Sequence, residues 1–307
     1  MSLVPAWLES HRIPDADFAS AYDATPAPLR AHLKTAIAAL HALHGETPAT
    51  TTHTRLPRAG FALTRHCEAA PWALVVVGPH YDAAPRLLGA LLPALFDGVA
   101  DVLVVQLADG ANSTMPAPLL VALELAGQEQ VFALHGEALA TLLHQLHATC
   151  PAGRVVLLGH DAATQHLHHA AMALGLQIWR EVAAPRIGVA QGAQVDLDLL
   201  RWAHPDADII TDVAPGMHET VPATTRVAAP DGILGGASRA DTGQPLQAMS
   251  QLDALIGPAH CPVPAATASL HLDPALAGCW LHPTLPHDFY LVHRAGVAPL
   301  LPPGDAT

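Results

Sequence analysis

Lysine is almost missing from this 307-residue chain. Lys34 stands alone, and Lys plus Arg number 14 against 27 Asp plus Glu, a formal net charge of -13. One lysine, placed ahead of the first strong strand signal, excludes a phosphate-loop lysine and a lysine Schiff base in the sheet region. Without a basic stripe to neutralise phosphates, nucleic acid is not an expected partner. Charged residues are scarce too, at 13% against 51% hydrophobic, which sets the chain far from disorder. Broad apolar faces are expected, some of them meeting a second copy in a homo-oligomer such as a homodimer. Cys67, Cys150, Cys261 and Cys279 form no Cys-x-x-Cys pair, and no basic-then-apolar leader opens the chain. A reduced, cytoplasmic setting is therefore the expectation. No uncharged apolar run reaches membrane-span length, since Leu87 to Phe96 is short and carries Pro93, so no membrane partner is expected. Gly-x-Gly-x-x-Gly is absent, and neither Ser113 nor Ser238 lies in Gly-x-Ser-x-Gly. A conventional dinucleotide grip and serine hydrolysis both go unsupported.

What is present centres on residues 71 to 137. An apolar run, Leu74 to Val77, breaks at Gly78-Pro79, a helical pattern follows, and a second run, Val102 to Val105, breaks at Asp109-Gly110. A helix over Pro118 to Gly127 and a strand over Val131 to Leu134 repeat the unit. That alternation predicts parallel strands joined by crossover helices. The same rhythm continues with a helix from Glu137 to His147, a strand from Arg154 to Leu158, a helix from Ala162 to Leu174, and a further strand near Leu176 to Trp179. The predicted fold class is α/β, a Rossmann-like parallel sheet flanked by helices, with an N-terminal helical arm and a smaller C-terminal α/β part. The boundaries are read as residues 1–57 for the arm, 58–190 for the sheet domain and 191–307 for the remainder. In the arm, Pro14-Asp15 starts a short helix, and Pro28 starts a longer one to Leu43 that Gly45 stops. The Thr- and Pro-rich run Thr47 to Pro57 reads as a connector. In the last part, Asp196 to Ala203 and Pro245 to Ile256 read as helices. Ala207 to Thr211 and Phe289 to Val292 read as strands, with a Pro-rich tail after Ala295.

Leu91-Leu92-Pro93-Ala94-Leu95 with Gly98-Val99, the strand Val102 to Val105, and Leu120 to Gly127 together resemble the aldehyde dehydrogenase superfamily, and its histidinol dehydrogenase branch in particular. Val75-Val76-Val77-Gly78-Pro79 is similar to that branch's strand ending in a Gly-Pro loop, and Leu134 to Ala140 to its strand leading into a helix start. The resemblance covers roughly residues 30 to 160. It implies an oxidoreductase that binds NAD or NADP and acts on a small alcohol or aldehyde. By the same resemblance, Ala214-Pro215-Gly216-Met217-His218-Glu219 echoes the segment whose Glu and His do acid/base work, which makes His218 and Glu219 catalytic candidates. The chain departs from the pattern at Gly159-His160-Asp161-Ala162, and the segment that supplies zinc ligands in that branch has no counterpart here. Zinc is therefore not expected. The departures leave open an alternative, a non-catalytic protein that keeps the fold and binds a small ligand or serves in an assembly.

Read from the residues themselves, the loops Gly78-Pro79-His80, Gly136-Glu137 and Gly159-His160-Asp161 fall at the carboxyl edge of a parallel sheet. Ligands bind at that edge. Gly78, Pro79, His80, Gly136, Glu137, Gly159 and Asp161 are the candidate cofactor contacts, with His160 a third candidate for proton transfer. Glu137 and Asp161 also read as simple caps for the helices they precede. His166, His168 and His169 draw attention as metal ligands, but no acidic or thiolate neighbour completes a set, and no metal site is assigned.

Overall fold

The structure is a computed structural model that describes residues 3–45, 50–55, 61–110, 113–213, 252–258 and 268–299. After a 3-10 turn at Ala6–His11 come α1 (Asp15–Ala24) and α2 (Ala27–His44). Asp15 and Asp17 lie in the first turn of α1, where the helix dipole favours them. Gly45 ends α2 at φ 72°, a left-handed turn that favours glycine. Leu33, Ala36 and Leu40 form the buried stripe of α2, while Leu43 in its last turn is exposed.

Two strands follow, β1 (Thr50–Arg55) and β2 (Phe61–Ala69). They pair antiparallel with each other, and β2 pairs on its other side with β12 (Leu291–Pro299). The connector expected at Thr47 to Pro57 is thus a strand over its described part. Thr50, Thr51, Thr52 and Thr54 are β-branched and suit a half-exposed pleat, which outweighs their turn-like composition. The strand expected at Phe289 to Val292 starts at Leu291 instead and runs on to Pro299, through what read as a tail.

The central sheet is fully parallel. Its members are β3 (Trp72–Val77), β4 (Asp101–Leu107), β5 (Val131–Leu134), β6 (Arg154–Leu158) and β7 (Gln177–Arg180), in the spatial order β5-β4-β3-β6-β7. Between them run α3 (Ala84–Phe96), α4 (Ala117–Ala126), α5 (Gly136–Thr149) and α6 (Ala162–Ala173). Every residue of β3 and β4 is buried, as expected of a sheet covered on both faces. Alternation then sorts the side chains. Val75, Val77, Val102 and Val104 pack with α3 and α4, whereas Leu74, Val76, Leu103 and Val105 pack with α5 and α6. This is the Rossmann-like α/β fold read from the sequence.

A second parallel sheet, in the order β11-β10-β8-β9, is built from β8 (Arg186–Ala190), β9 (Asp208–Val213), β10 (Leu252–Ile256) and β11 (Ala268–Leu272), with α7 (Leu197–Ala203) between β8 and β9. The helix expected over Pro245 to Ile256 is a strand in its described part. Leu252, Ala254, Leu255 and Ile256 are buried in the middle of this sheet, and a short apolar run does not reveal its period. The strand near Ala207 begins at Asp208 and extends to Val213.

The segment 279–291 clasps α3 and β6. His282 Nε2–H donates to the Arg86 carbonyl at 2.8 Å and Tyr290 Oη–H to the Ala90 carbonyl at 2.6 Å. The Arg154 side chain donates to the carbonyls of Phe289 and Leu291. Pro93 interrupts the α3 hydrogen-bond ladder within the same helix, since it has no N–H to give. Gly89 makes the contact possible: a Cβ there would lie 2.4 Å from the Trp280 carbonyl oxygen.

Candidate functional site

Strand order reverses between β3 and β6, because β4 and β5 build outward on one side of β3 while β6 and β7 build on the other. The loops that leave the carboxyl ends of β3 and β6 therefore part and open a crevice. Three of the expected contacts meet there. The Gly78 N–H donates to the Leu158 carbonyl at 2.8 Å, and a Cβ on Gly78 would come within 2.4 Å of Asp161 Oδ2. Glycine at 78 is thus required by the close approach of the Asp161 carboxylate. Asp161 caps α6, its Oδ1 accepting the N–H groups of Ala163 and Thr164, both at 2.9 Å. Gly159 adopts φ 109° beside them.

On the α5 and α6 side the crevice widens into a cleft of about 340 Å³, lined by Pro79, Leu107, Ala108, Asp109, Gly136 and His166 among others. Its walls are mostly small and apolar, and its size is that of a small-molecule site. Asp109 lies two residues past the end of β4 and faces His80 across the mouth, Nε2 to Oδ2 being 3.5 Å. Both side chains are well exposed, so this pair is a weak contact. His135 Nδ1 donates to the Ala108 carbonyl at 3.2 Å and ties the β5 loop to the β4 loop. No side chain caps the N-terminus of α5, which opens at Gly136. Glu137 is exposed in its first turn and is not among the cleft-lining residues.

On the α3 side lies a buried charged group that no sequence motif marked. Arg86, in the first turns of α3, is completely buried. Its Nη1–H donates to Glu181 Oε1 at 2.9 Å, and its Nη2–H donates to Asp206. The guanidinium lies over the Tyr81 ring, 5.1 Å from the centroid. Glu181 follows β7 directly, its own backbone N–H donating to the Leu157 carbonyl at 2.9 Å, which sets it close to the loop that carries exposed His160. Burial pushes the Glu181 carboxyl above the usual carboxylate range, opposed by the Arg86 charge. Asp82 is raised as well, by burial and then by the like charge of Asp206. Tyr81, His204 and His282 are buried around the cluster; burial drives the Tyr81 hydroxyl up and both imidazoles down, His282 to about 4. Tyr81 Oη, Arg86 Nε, Glu181 Oε2 and both His204 nitrogens have no hydrogen-bond partner among the described residues.

The structure therefore brings Gly78, Gly159 and Asp161 into one loop contact and places Pro79, His80 and Gly136 around the cleft. His160 stands exposed at the edge of the crevice. His218 and Glu219 lie outside the described residues. The missed residues had only faint signals: an arginine alone in the apolar stretch Ala84 to Phe96, and an acid within two residues of the end of each of two strands, Asp109 and Glu181. Among the described residues, no group of three His, Cys, Asp or Glu side chains could hold a metal ion, and His166, His168 and His169 do not form one. Cys67, Cys150 and Cys279 are free thiols. Among the described residues, no helix is long and apolar enough to cross a membrane.

Fold and crevice together define an α/β protein with a Rossmann-like sheet and a ligand-sized cleft at its switch point. No protein-family model matches the chain, and no curated protein matches it by sequence. Among solved structures it is similar to histidinol dehydrogenase from Elizabethkingia anophelis, with 15% identity and a TM-score of 0.49 over 67% of this chain and 49% of that one. It is also similar to indole-3-acetaldehyde dehydrogenase in its apo form, with 13% identity and a TM-score of 0.41 over 95% of this chain and 86% of that one. PnpE in complex with nicotinamide adenine dinucleotide matches at 12% identity and a TM-score of 0.36, over 55% of this chain and 34% of that one. The chain spans about half the length of the histidinol dehydrogenase it matches. These names agree with the resemblance read from the sequence.

Proposed function

We propose that the chain binds a nicotinamide dinucleotide across the crevice and is an oxidoreductase for a small alcohol or aldehyde, with His160 as its proton-transfer residue. One observation carries the reading: the cleft opens beside the strand-order reversal, where dinucleotides lie in sheets of this order. The residues fit such a ligand. The small apolar walls of the cleft suit a flat heterocycle, and Asp109, just past the second strand of the unit, would serve as an acceptor for ribose hydroxyls. That acid disfavours a 2′-phosphate, so NAD is preferred over NADP. When bound, the nicotinamide ring supplies hydride chemistry. The chain's own part is to bind it, exclude water from it and move the accompanying proton.

The capped N-terminus of α6 favours a second reading. Asp161 already occupies the amide groups that a pyrophosphate would use there, as in a protein that keeps the fold and binds a smaller ligand without catalysis. The two readings separate in a thermal melt with NAD, NADP or zinc. A dinucleotide at saturation raises stability by about 2 kcal/mol or more. No rise with either dinucleotide refutes the oxidoreductase reading, and a rise with zinc overturns the expectation that zinc plays no part. We further propose a cytoplasmic homo-oligomer, supported by the free thiols and by the antiparallel sheet of β1, β2 and β12, whose two outer strands each pair on one side only among the described residues. A monomeric mass in light scattering counts against it.

A further inference from the structure

The charged group on the α3 side is unbalanced. Asp82, Glu181 and Asp206 gather around Arg86, whose two terminal nitrogens are already given to Glu181 and Asp206. His204 and His282 add no positive charge, because burial holds both neutral near pH 7. Three carboxyl groups thus face one buried guanidinium, and even with Glu181 and Asp82 raised by burial the acids outnumber the single base. The group is open on one side, where the Asp206 side chain is 30% exposed and Asp82 is half-buried. A second observation points to a ligand: Tyr81, only 6% exposed, lies in the group with its hydroxyl unpartnered, as is one oxygen of buried Glu181. Among the described residues the carboxylates do not form a metal-holding set, which disfavours a compact metal ion.

We propose that this junction is a subsite for a planar organic cation, namely the oxidised nicotinamide ring of the bound dinucleotide, and that it makes the protein hold the oxidised form more tightly than the reduced one. The inference rests on the dinucleotide reading above and adds to it the charge of the ring. The oxidised ring carries a positive charge and the reduced ring none, so only the first gains from the surplus of carboxylates. The loop after β3 joins the two regions, since Pro79 lines the cleft while Tyr81 and Asp82 belong to the charged group.

The test is a calorimetric comparison of four probes: the 1-methylnicotinamide cation, neutral nicotinamide, NAD⁺ and NADH. The cation should bind about tenfold tighter than neutral nicotinamide at low ionic strength, and NAD⁺ tighter than NADH by a similar factor, both gaps narrowing with salt. Asp82→Asn and Asp206→Asn, each checked for native circular dichroism, should shrink the gaps, because both carboxylates reach solvent and neither is buried as Glu181 is. Equal binding of charged and neutral probes, or gaps that survive both substitutions, overturns the proposal. If NAD⁺ and NADH bind equally well, the charge subsite falls while the dinucleotide reading stands. If neither dinucleotide binds, both fall.

Discussion

His282 gives the sharpest test of the packing between α3 and the clasping segment. Its Nδ1 accepts the Trp280 indole N–H at 3.3 Å and its Nε2–H donates to the Arg86 carbonyl, so the ring is held in its neutral form. Burial lowers its pKa from 6.5 to about 4, against the opposing help of the Arg86 carbonyl and with the Arg86 charge lowering it further. The direction follows from linkage. In the unfolded chain the ring takes a proton near 6.5, whereas in the folded chain it does so only near 4. Its contribution is fully present above pH 6.5 and is lost as pH falls from there to about 4. At about 1.4 kcal/mol per pH unit, that gap is worth about 3 kcal/mol. Urea unfolding followed by tryptophan fluorescence, at steps from pH 7 to pH 4, should show the wild-type protein losing about that much more than His282→Gln, which keeps a side-chain donor but cannot titrate. Buried His204 acts in the same sense in both proteins and cancels in the difference. The raised carboxyls of Glu181 and Asp82 act in the opposite sense, and they too are common to both. Parallel loss of stability in the two proteins refutes the assignment of a buried neutral imidazole.

Other substitutions read other contacts. Arg86→Ala leaves Glu181 buried without its partner and should cost about 3–5 kcal/mol in denaturant unfolding. Gly89→Ala drives a methyl into the backbone of Trp280 and should cost about 1–3 kcal/mol, visible as a lower melting temperature. Tyr290→Phe removes the bond to the Ala90 carbonyl at a cost of about 1 kcal/mol, unless the hydroxyl bond contributes nothing and the two proteins melt together. Asp109→Ser should narrow the difference between the melting shifts given by NAD and NADP, and an unchanged difference removes Asp109 from ribose recognition.

The sheet was legible because its strands carry their own evidence. Leu74 to Val77 and Val102 to Val105 are apolar runs rich in β-branched residues, ended by Gly78-Pro79 and by Asp109-Gly110 and set in a regular alternation with helical patterns, which is how strands covered on both faces read. The misread elements lack that redundancy. Leu252 to Ile256 is five residues long, too short for its apolar pattern to choose between periods. Thr50 to Arg55 reads as loop by composition and becomes a strand only by pairing with β2, a partner the local sequence cannot announce. The site was legible at its glycines and prolines, since loops that leave a strand abruptly need them. Arg86, Glu181 and Asp206 escaped notice for a different reason. They lie 95 and 120 positions apart in the chain, and only the fold makes them neighbours.

That separation bears on how the two regions of the crevice act together. β3 is the middle strand of the sheet, and its loop touches both regions. Pro79 and Tyr81 are two residues apart, yet one lines the apolar cleft and the other covers the buried guanidinium. The loop between them is anchored at both ends, by the Gly78 N–H on the Leu158 carbonyl and by the Tyr81 N–H on the Gly78 carbonyl at 3.2 Å. A shift of this loop in one region would strain the backbone hydrogen bonds that hold it in the other. A ligand that engages only the cleft and one that engages only the charged junction should therefore not bind independently. The coupling is measured as the change in affinity of one probe in the presence of the other, and independent binding of the two probes refutes it.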